Sequence, residues 1–304
     1  MHALVTGVNG FLGQALSQYL LQAGARVTGF DIHDSSPDSL KGIQYHKVDI
    51  LDFDQLYTMM SQFSPVDLII FHLAGQSNVG KSRTEPLSTW SVNVTGTAHL
   101  IETCRRIAIN RIIFPSTALL YARPSLRPLV ETDATLVGSV YVSTKLASES
   151  LIKSYSVDFG LTCRIARLGN VYGPGGPTDS IVQIVLRQIK NGGPITLQTL
   201  IPVRDFVYRD DVVTGLVALA LHTDEPGCEI FNLSSGVPTS IRELVETACR
   251  IKGLDTSIIE TQPHRLGTND KLVVSIQRLK EYTGWQPNWN LEEGLRQTLA
   301  ELEI

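Results

Sequence analysis

The segment YVSTK at residues 141–145 places a phenol and an ammonium four residues apart. On a helix, residues i and i+4 share a face, so Tyr141 and Lys145 would be neighbours there. A phenol has a pKa of about 10 and is a weak base at neutral pH. Lowering that pKa by about three units takes about 4 kcal/mol of preferential phenolate stabilisation, which a nearby ammonium in a poorly solvated pocket helps to supply. The pair is a candidate proton-transfer group, and a solvated helix face is the alternative.

A second candidate site is the glycine-rich segment TGVNGFLG at residues 6–13. It follows a predicted strand and opens a predicted helix, the context in which glycine turns bind dinucleotides. Gly7 permits the tight turn, Gly10 lets the backbone approach a pyrophosphate, and Gly13 allows close helix packing. The helix N-terminus supplies N–H groups for the anion. A glycine turn without a ligand is the alternative interpretation.

Two carboxylates follow the next predicted strands. Asp31 ends the second strand, where a carboxylate accepts hydrogen bonds from an adenosine ribose and repels a 2′-phosphate, which predicts NAD rather than NADP. A solvated loop aspartate is the alternative. Asp49, which Ile50 follows, comes after the third strand and is a candidate acceptor for the adenine amino group. A role at a helix start beside Asp52 is the alternative for Asp49.

Strands and helices alternate through the first half of the chain. Residues 11–23 have apolar side chains at helical spacing, and residues 68–73 form a continuous apolar run that is typical of a strand buried on both faces. Further strands are predicted at 2–6, 26–30, 43–48, 111–114 and 161–168, and further helices at 52–62, 86–107 and 143–159. This alternation predicts an α/β fold with a Rossmann-like, doubly wound parallel sheet.

The alternation loosens after about residue 168, where the loop GPGGP at 173–177 begins a region of short helices and strands. Helices are predicted there at 180–190, 241–252, 275–283 and 291–302. We predict a dinucleotide-binding domain over residues 1–170, to which 205–233 returns. A smaller, C-terminal substrate-binding domain is predicted from 171–204 and 234–304.

Composition and charge exclude several classes of function. The chain has 26 Lys and Arg against 30 Asp and Glu, a net charge of −4, which argues against a nucleic-acid partner. No apolar run approaches the ~20 residues of a membrane span, and the first residues do not resemble a secretion signal. Four widely spaced cysteines predict reduced thiols in a cytoplasmic protein. Seven histidines without metal-ligand spacing predict no metal site.

Taken together, the motifs resemble the extended short-chain dehydrogenase/reductase family, in its nucleotide-sugar epimerase/dehydratase branch. They follow the family's order along nearly the whole chain. They are TGVNGFLG at 6–13, Asp31, HLAG at 72–75, NVTGT at 93–97, PSTALLYA at 115–122, YVSTK at 141–145, RLGNVYGPG at 167–175, RDFVYRDDV at 204–212 and TGWQPNWNLEEGLRQTL at 283–299.

The resemblance implies a role for each matching residue. Tyr141 would be the acid/base, Lys145 would bind the nicotinamide ribose and lower the pKa of Tyr141, and Thr117 would orient the sugar and relay the proton. The residues implied to bind NAD are Gly7, Asn9, Gly10, Phe11, Leu12, Gly13, Asp31, Asp49, Ile50, Leu73, Ala74, Gly75, Asn93, Tyr141 and Lys145. Those implied to bind a nucleotide-sugar substrate are Thr117, Asn170, Arg204 and Arg265, with the two arginines on its pyrophosphate.

The resemblance also implies an activity. We expect an NAD-dependent nucleotide-sugar epimerase that acts at C4 through a transient 4-keto sugar. The alternatives are a nucleotide-sugar 4-keto-reductase that uses NAD(P)H and a non-catalytic dinucleotide-binding regulator. Ala118 and Leu119 stand where dehydrating members of the branch carry Asp-Glu, which argues against a 4,6-dehydratase. A homodimer is expected to pack through residues 86–107 and 143–159.

Overall fold

The computed structural model describes residues 1–122, 125, 127–223, 226–261 and 271–302. They divide into two compact units. Unit 1 consists of Met1–Leu120, Thr135–Arg167 and Val213–Phe231. Unit 2 consists of Tyr121–Ala134, Leu168–Val212 and the described part of 232–304.

The secondary structure alternates as the apolar spacing predicts. The strands are β1 (His2–Thr6), β2 (Arg26–Asp31), β3 (Gln44–Lys47), β4 (Leu68–His72), β5 (Arg111–Thr117), β6 (Thr162–Leu168), β7 (Asn170–Tyr172), β8 (Ile195–Leu197), β9 (Val203–Tyr208), β10 (Cys228–Leu233), β11 (Pro238–Ser240), β12 (Ile259–Thr261) and β13 (Lys271–Leu272). The α-helices are α1 (Phe11–Gln22), α2 (Phe53–Met60), α3 (Val79–Thr84), α4 (Pro86–Trp90), α5 (Gly96–Arg106), α6 (Val140–Phe159), α7 (Ile181–Lys190), α8 (Arg209–Ala220), α9 (Ile241–Lys252), α10 (Gln277–Thr283) and α11 (Leu291–Glu301).

A seven-stranded sheet forms the centre of unit 1, in the order β10-β6-β5-β4-β1-β2-β3. Strand β1 pairs in parallel with β2 on one side and with β4 on the other, so that Thr6 lies opposite both Phe30 and His72. The strand order reverses at β1, which makes the crevice beyond the carboxyl ends of β1 and β4 the usual place for a ligand. The predicted Rossmann-like fold is confirmed.

The sheet is apolar on both faces because helices cover both. Every residue of β4 is buried, as its continuous apolar run predicts. One core cluster joins Leu4 on β1, Ile70 on β4 and Ile165 on β6 to Leu100 on α5 and Ile152 on α6. The helices that carry candidate site residues are therefore fixed to the sheet by packing.

Two helices differ from their predicted bounds in ways that affect the candidate site, while the other predicted helices differ by at most two residues at either end. The region 86–107, predicted as one helix, contains a π-helical turn at Ser91–Thr95 between α4 and α5. Such turns frequently lie at functional sites. Helix α6 begins at Val140 rather than at residue 143, because the Ser139 hydroxyl accepts a hydrogen bond from the Val142 N–H at 3.2 Å and caps the helix. The earlier start places Tyr141 in the first turn of α6.

Unit 2 has its own small sheets and its own core. Strand β9 pairs with β11, β13 and β7, and β8 pairs with β12. The helices α7, α9 and α11 pack their apolar faces into one cluster that includes Leu186, Leu244 and Leu295. Among the described residues, no helix is long and apolar enough to cross a membrane.

The carboxylate of Asp205 on β9 organises the centre of unit 2. It is buried and accepts hydrogen bonds from the N–H groups of Ser235, Gly236 and Val274 at 3.0 to 3.2 Å and from the Ser235 hydroxyl at 2.7 Å. Four donors satisfy the buried charge, so its side chain ties β9 to the chain before β11 and after β13.

Candidate active site

The glycine turn closes tightly between β1 and α1. Gly7 has φ +69°, and a Cβ atom there would lie 2.7 Å from the Ala74 nitrogen. A Cβ atom on Gly13 would lie 2.1 Å from the Gly7 carbonyl oxygen. No side chain fits at either position without moving the backbone. Helix α1 starts directly after Gly10, which leaves the N–H groups of its first turn directed at the turn, a suitable arrangement for a phosphate.

A cavity of about 340 Å³ lies beside this turn. It is lined by Gly7, Asn9, Gly10, Phe30, Asp31, Ile32, His33, Val48, Asp49, Ile50, Leu51, Leu73, Ala74, Gly75 and Val92. The lining combines a backbone turn, a carboxylate and apolar walls, which match a pyrophosphate, a ribose diol and an adenine. Among the described residues nothing is bonded to the buried Asn9 Oδ1, so that oxygen remains available to a ligand. The residues present therefore fit an adenine dinucleotide.

Asp31 lies at the end of β2 and is almost fully buried. Its Oδ2 accepts the Asn9 N–H at 3.0 Å, and its Oδ1 accepts the Ile32 N–H at 2.9 Å. His33, whose side chain is mostly exposed, places Nδ1 2.6 Å from Oδ1. No motif in the sequence indicates a role for this histidine, although it lies only two residues from Asp31. The turn and β2 thus place the Asp31 carboxylate in the lining of the cavity.

Asp49 and Asp52 both accept backbone hydrogen bonds at the start of α2. Asp52 caps the helix by accepting the Gln55 N–H at 2.9 Å. The Asp49 carboxylate accepts the Leu51 N–H at 2.9 Å and also lines the cavity. Both interpretations of Asp49 are therefore compatible with its position.

Thr117, Tyr141 and Lys145 come together at the carboxyl end of β5. Tyr141 packs against Leu120 and Val142 and is 7% exposed. Burial raises the pKa of Tyr141 to about 12, against the smaller, opposite effect of a hydrogen bond from Thr117. Lowering this pKa to about 7 would take about 7 kcal/mol, more than the 4 kcal/mol or so that an exposed phenol requires.

Lys145 lies one helical turn after Tyr141. Its Nζ donates to the Pro115 carbonyl oxygen at 2.9 Å and lies 4.6 Å from the centre of the Phe114 ring. Burial lowers the pKa of this ammonium to about 8, and the negative charge of Glu149 partly opposes that effect. The burial of the site thus favours the neutral form of both Tyr141 and Lys145.

Asn93 lies in the π-helical turn and is buried. Its Oδ1 accepts the Gln76 N–H at 2.7 Å, and its Nδ2 donates to the Gln76 carbonyl oxygen and to the Thr144 hydroxyl, both at 2.9 Å. The side chain therefore ties the loop after β4 to α6. The lining of the cavity does not include Asn93, Phe11, Leu12 or Gly13. A contact of these four residues with the cofactor stays a prediction.

His72 is a buried residue that the sequence analysis left without a role. It lies at the end of β4, with Nδ1 2.8 Å from the Thr6 hydroxyl and Nε2 3.1 Å from the Thr97 hydroxyl. Burial, with a smaller effect of Lys145, lowers the pKa of His72 to about 3, so the ring is neutral at physiological pH. It links β1, β4 and α5 next to the glycine turn.

The candidate substrate residues Asn170 and Arg204 lie in unit 2. Both line a cavity of about 560 Å³, together with Ile181, Ile184, Thr196, Leu197, Gln198, Thr199, Pro202 and Ile241. The guanidinium of Arg204 donates to the Val203 carbonyl oxygen at 2.9 Å. Arg265 lies outside the described residues. Within the described part of the chain, no group of three or more His, Cys, Asp or Glu side chains is placed to hold a metal ion.

Residues 3–234 match the model of the NAD dependent epimerase/dehydratase family. The chain belongs to this family. NAD, the predicted cofactor, is confirmed as the cofactor of the family.

Relatives and solved structures agree with this assignment. A UDP-glucuronate 4-epimerase of Thermodesulfobacterium geofontis is 30% identical over 97% of this chain and 94% of that protein. A UDP-glucose 4-epimerase of Mycolicibacterium smegmatis is 31% identical over 98% of this chain and 97% of that protein. The crystal structure of a Thermus thermophilus UDP-glucose 4-epimerase in complex with NAD superposes with a TM-score of 0.87 at 29% identity, covering 100% of this chain and 99% of that one.

The position of Asp31 predicts the choice of cofactor. We expect the protein to bind NAD at least about tenfold more tightly than NADP, because a 2′-phosphate would face the buried carboxylate. Asp31→Ala should narrow this ratio in calorimetric titrations of the two cofactors. Asp34→Ala is the control, since its exposed carboxylate pairs with Lys47 and should leave the ratio unchanged. Equal affinities in the wild-type protein would contradict the assignment of Asp31.

Proposed function

We propose that the protein is an NAD-dependent epimerase that inverts C4 of the hexose in a UDP-sugar. The observation that carries the proposal is the group at the end of β5 formed by the buried Thr117 and Tyr141 and the half-buried Lys145. The proposal is supported by the cavity beside the glycine turn and by the names of the relatives, which act on UDP-glucose or UDP-glucuronate. The C4 epimerase is favoured over the 4-keto-reductase because both of these relatives are 4-epimerases.

Tyr141 is the group that moves the proton in the proposed mechanism. Its Oη takes the proton of the C4 hydroxyl as that carbon is oxidised, and returns it as the carbon is reduced. The Thr117 hydroxyl, which lowers the pKa of Tyr141, would orient the phenol and give the proton a path to the sugar. When bound, NAD would supply the hydride transfer from C4 and back to it.

Lys145 acts on Tyr141 through its charge. An ammonium one helical turn from a buried phenol stabilises the phenolate, since opposite charges interact strongly where water is excluded. The carbonyl oxygen of Pro115 and the ring of Phe114 hold Nζ in place. About nine tenths of the Lys145 side chains would carry the charge that the mechanism requires at pH 7, and about one half at pH 8.

The remaining proposed roles concern substrate and assembly. Asn170, Arg204 and Arg265 would hold the nucleotide part of the substrate, because fork-shaped guanidinium donors suit a pyrophosphate. Ala118 and Leu119 follow Thr117 and carry no acid or base, which disfavours a dehydration. We also propose a cytoplasmic homodimer that packs through residues 86–107 and 143–159.

Exposed apolar side chains support the proposed dimer. Leu87 and Trp90 on α4 are 82% and 45% exposed, and Val157 and Phe159 on α6 are 84% and 51% exposed. Full burial of such a side chain contributes about 1.5–3 kcal/mol of stabilisation.

The proposed cytoplasmic location is supported by the cysteines. The four cysteines are free thiols, in keeping with a reducing compartment.

A substrate panel tests the proposed activity. The purified protein should interconvert UDP-glucose or UDP-glucuronate with its C4 epimer, without net consumption of NADH, and should lose activity when NAD is removed. GDP- and dTDP-sugars serve as comparison substrates in the same assay, read by chromatography. NADH-dependent reduction of a 4-keto nucleotide sugar, with no interconversion of any UDP-hexose, would show the reductase instead.

Tyr141→Phe tests the proton-transfer group. The variant keeps the ring and its packing, so folding and NAD binding should survive, but turnover should fall about 10²–10⁴-fold because the ionisable group is lost. Lys145→Met should also lose activity at pH 7 but recover part of it as the pH rises, because Tyr141 then ionises without help. The pH profiles of kcat separate the two variants. Near-normal turnover by Tyr141→Phe would refute the mechanism.

Arg204→Ala tests the pyrophosphate contact. The variant should raise KM for the UDP-sugar about 10–100-fold, which corresponds to the loss of hydrogen bonds to a charged group. Its affinity for NAD should stay at the wild-type value. Arg250→Ala is the control, because Arg250 is exposed and pairs with Glu292. A wild-type KM in Arg204→Ala would remove Arg204 from the substrate site.

A further inference from the structure

A buried ion pair lies next to the catalytic group and has no part in the mechanism described above. Arg167 on β6 donates to both carboxylate oxygens of Glu149 on α6, with Nε at 3.1 Å and a terminal nitrogen at 2.8 Å. Their side chains are only 3% and 1% exposed. A buried ion pair is not needed for stability, since well-packed apolar residues often do as well.

The pair is placed in line with the two catalytic residues of α6. Tyr141, Lys145 and Glu149 follow one another at intervals of four residues, so they share one face of the helix. Glu149 is the charged group that favours the ammonium form of Lys145. Arg167, on the strand next to β5, holds the carboxylate from the other side.

We propose that the Glu149–Arg167 pair is a positioning element of the active site, in which the Glu149 carboxylate keeps Lys145 charged beside Tyr141 and Arg167 fixes that carboxylate in its buried place. The inference rests on the proposed function, since it concerns the charge that Lys145 contributes to it. Without Glu149, Lys145 would lose the negative charge that offsets its burial.

Near Lys145, the other described elements packed against α6 supply no competing anion. On β4 the neighbour of Lys145 is His72, which is neutral, and β5 contributes the Pro115 carbonyl oxygen, the Phe114 ring and the Thr117 hydroxyl. Among the described residues, α3 contributes only the exposed cations Lys81 and Arg83.

Helix α5 does carry an acid, Glu102, but its place is further along α6. Glu102 is paired with Arg105 and Arg106 and hydrogen-bonds Tyr155. Tyr155 lies ten residues beyond Lys145 on α6, which corresponds to about 15 Å along the helix. Glu149 is therefore the acid that acts on Lys145.

Two single substitutions should change the pKa of Lys145 in opposite directions. Glu149→Gln keeps the shape of the side chain but removes its charge, and should lower the pKa of Lys145 by about one unit or more. Arg167→Met leaves Glu149 with Lys145 as its partner and should raise that pKa. The measurement is the ¹³C shift of the Lys145 ε-carbon against pH in the NAD-bound protein, assigned with Lys145→Met.

The activity should follow the same titration. With the pKa of Lys145 lowered from about 8 to about 7, the charged fraction at pH 8 falls from about one half to about one tenth. We expect kcat of Glu149→Gln to fall about fivefold at pH 8 and to change little at pH 6. A loss by the same factor at every pH, or an unchanged pKa of Lys145, would reduce the pair to a purely structural role.

Two further variants keep the test decisive. Either single substitution removes one member of the buried ion pair and risks unfolding, whereas Glu149→Gln/Arg167→Met removes both charges. The pKa of Lys145 should be lower in this double variant than in wild type, and an unchanged value overturns the proposal.

Asp211→Asn is the matched control, because its buried carboxylate accepts the N–H groups of Asn288 and Trp289. It should lower the melting temperature and leave the pKa of Lys145 unchanged.

The proposal and the proposed function can fail separately. The NMR titration needs no turnover, so it reports on the charge of Lys145 even if no UDP-hexose is a substrate. If no UDP-hexose is epimerised but the pKa of Lys145 changes in the Glu149 and Arg167 variants, only the proposed function is contradicted. Epimerisation with a pKa of Lys145 that is indifferent to Glu149 and Arg167 contradicts only the positioning role.

Discussion

The rest of the site depends on one constraint: a buried phenol and a half-buried ammonium share one face of α6. Burial raises the pKa of Tyr141 and lowers that of Lys145, so both groups prefer their neutral forms. A charge in such a place persists only if nearby dipoles and charges compensate for the lost water. The end of β5, the Thr117 hydroxyl and the Glu149 carboxylate supply that compensation, and packing of α6 on the sheet keeps them in place.

The same sheet fixes the proposed cofactor site through close backbone contact rather than charge. Gly7 lies against Ala74 at the carboxyl ends of β1 and β4, and Gly13 lets α1 approach the turn. His72 and Asn93 then connect this crevice to α5 and α6 through buried hydrogen bonds. The proposed cofactor cavity and the proposed catalytic group therefore both belong to unit 1.

The sequence is sufficient to predict the features that depend on local pattern. The glycine turn, the carboxylate after β2 and the placement of Tyr141 and Lys145 on one face of a helix each follow from spacing along one or two elements. The buried Glu149–Arg167 pair could not be predicted in this way, because it requires knowing that β6 lies beside α6. The sequence pattern also does not predict that residues 121–134 belong to unit 2. Their place depends on backbone hydrogen bonds of Leu129 with Val273 and Ser275, which lie far along the chain. Arg265, predicted to bind substrate, lies outside the described residues.

One isotope experiment tests the central claim, that Tyr141 moves only a hydroxyl proton while the hydrogen on C4 is removed and returned within the site. UDP-glucose carrying deuterium at C4 is incubated in ordinary water with the NAD-bound protein until the two epimers equilibrate. The account predicts that both epimers retain deuterium at C4, as read by NMR and mass spectrometry. Loss of deuterium to water during epimerisation would contradict it, because an acid or base would then have removed the hydrogen from carbon as a proton.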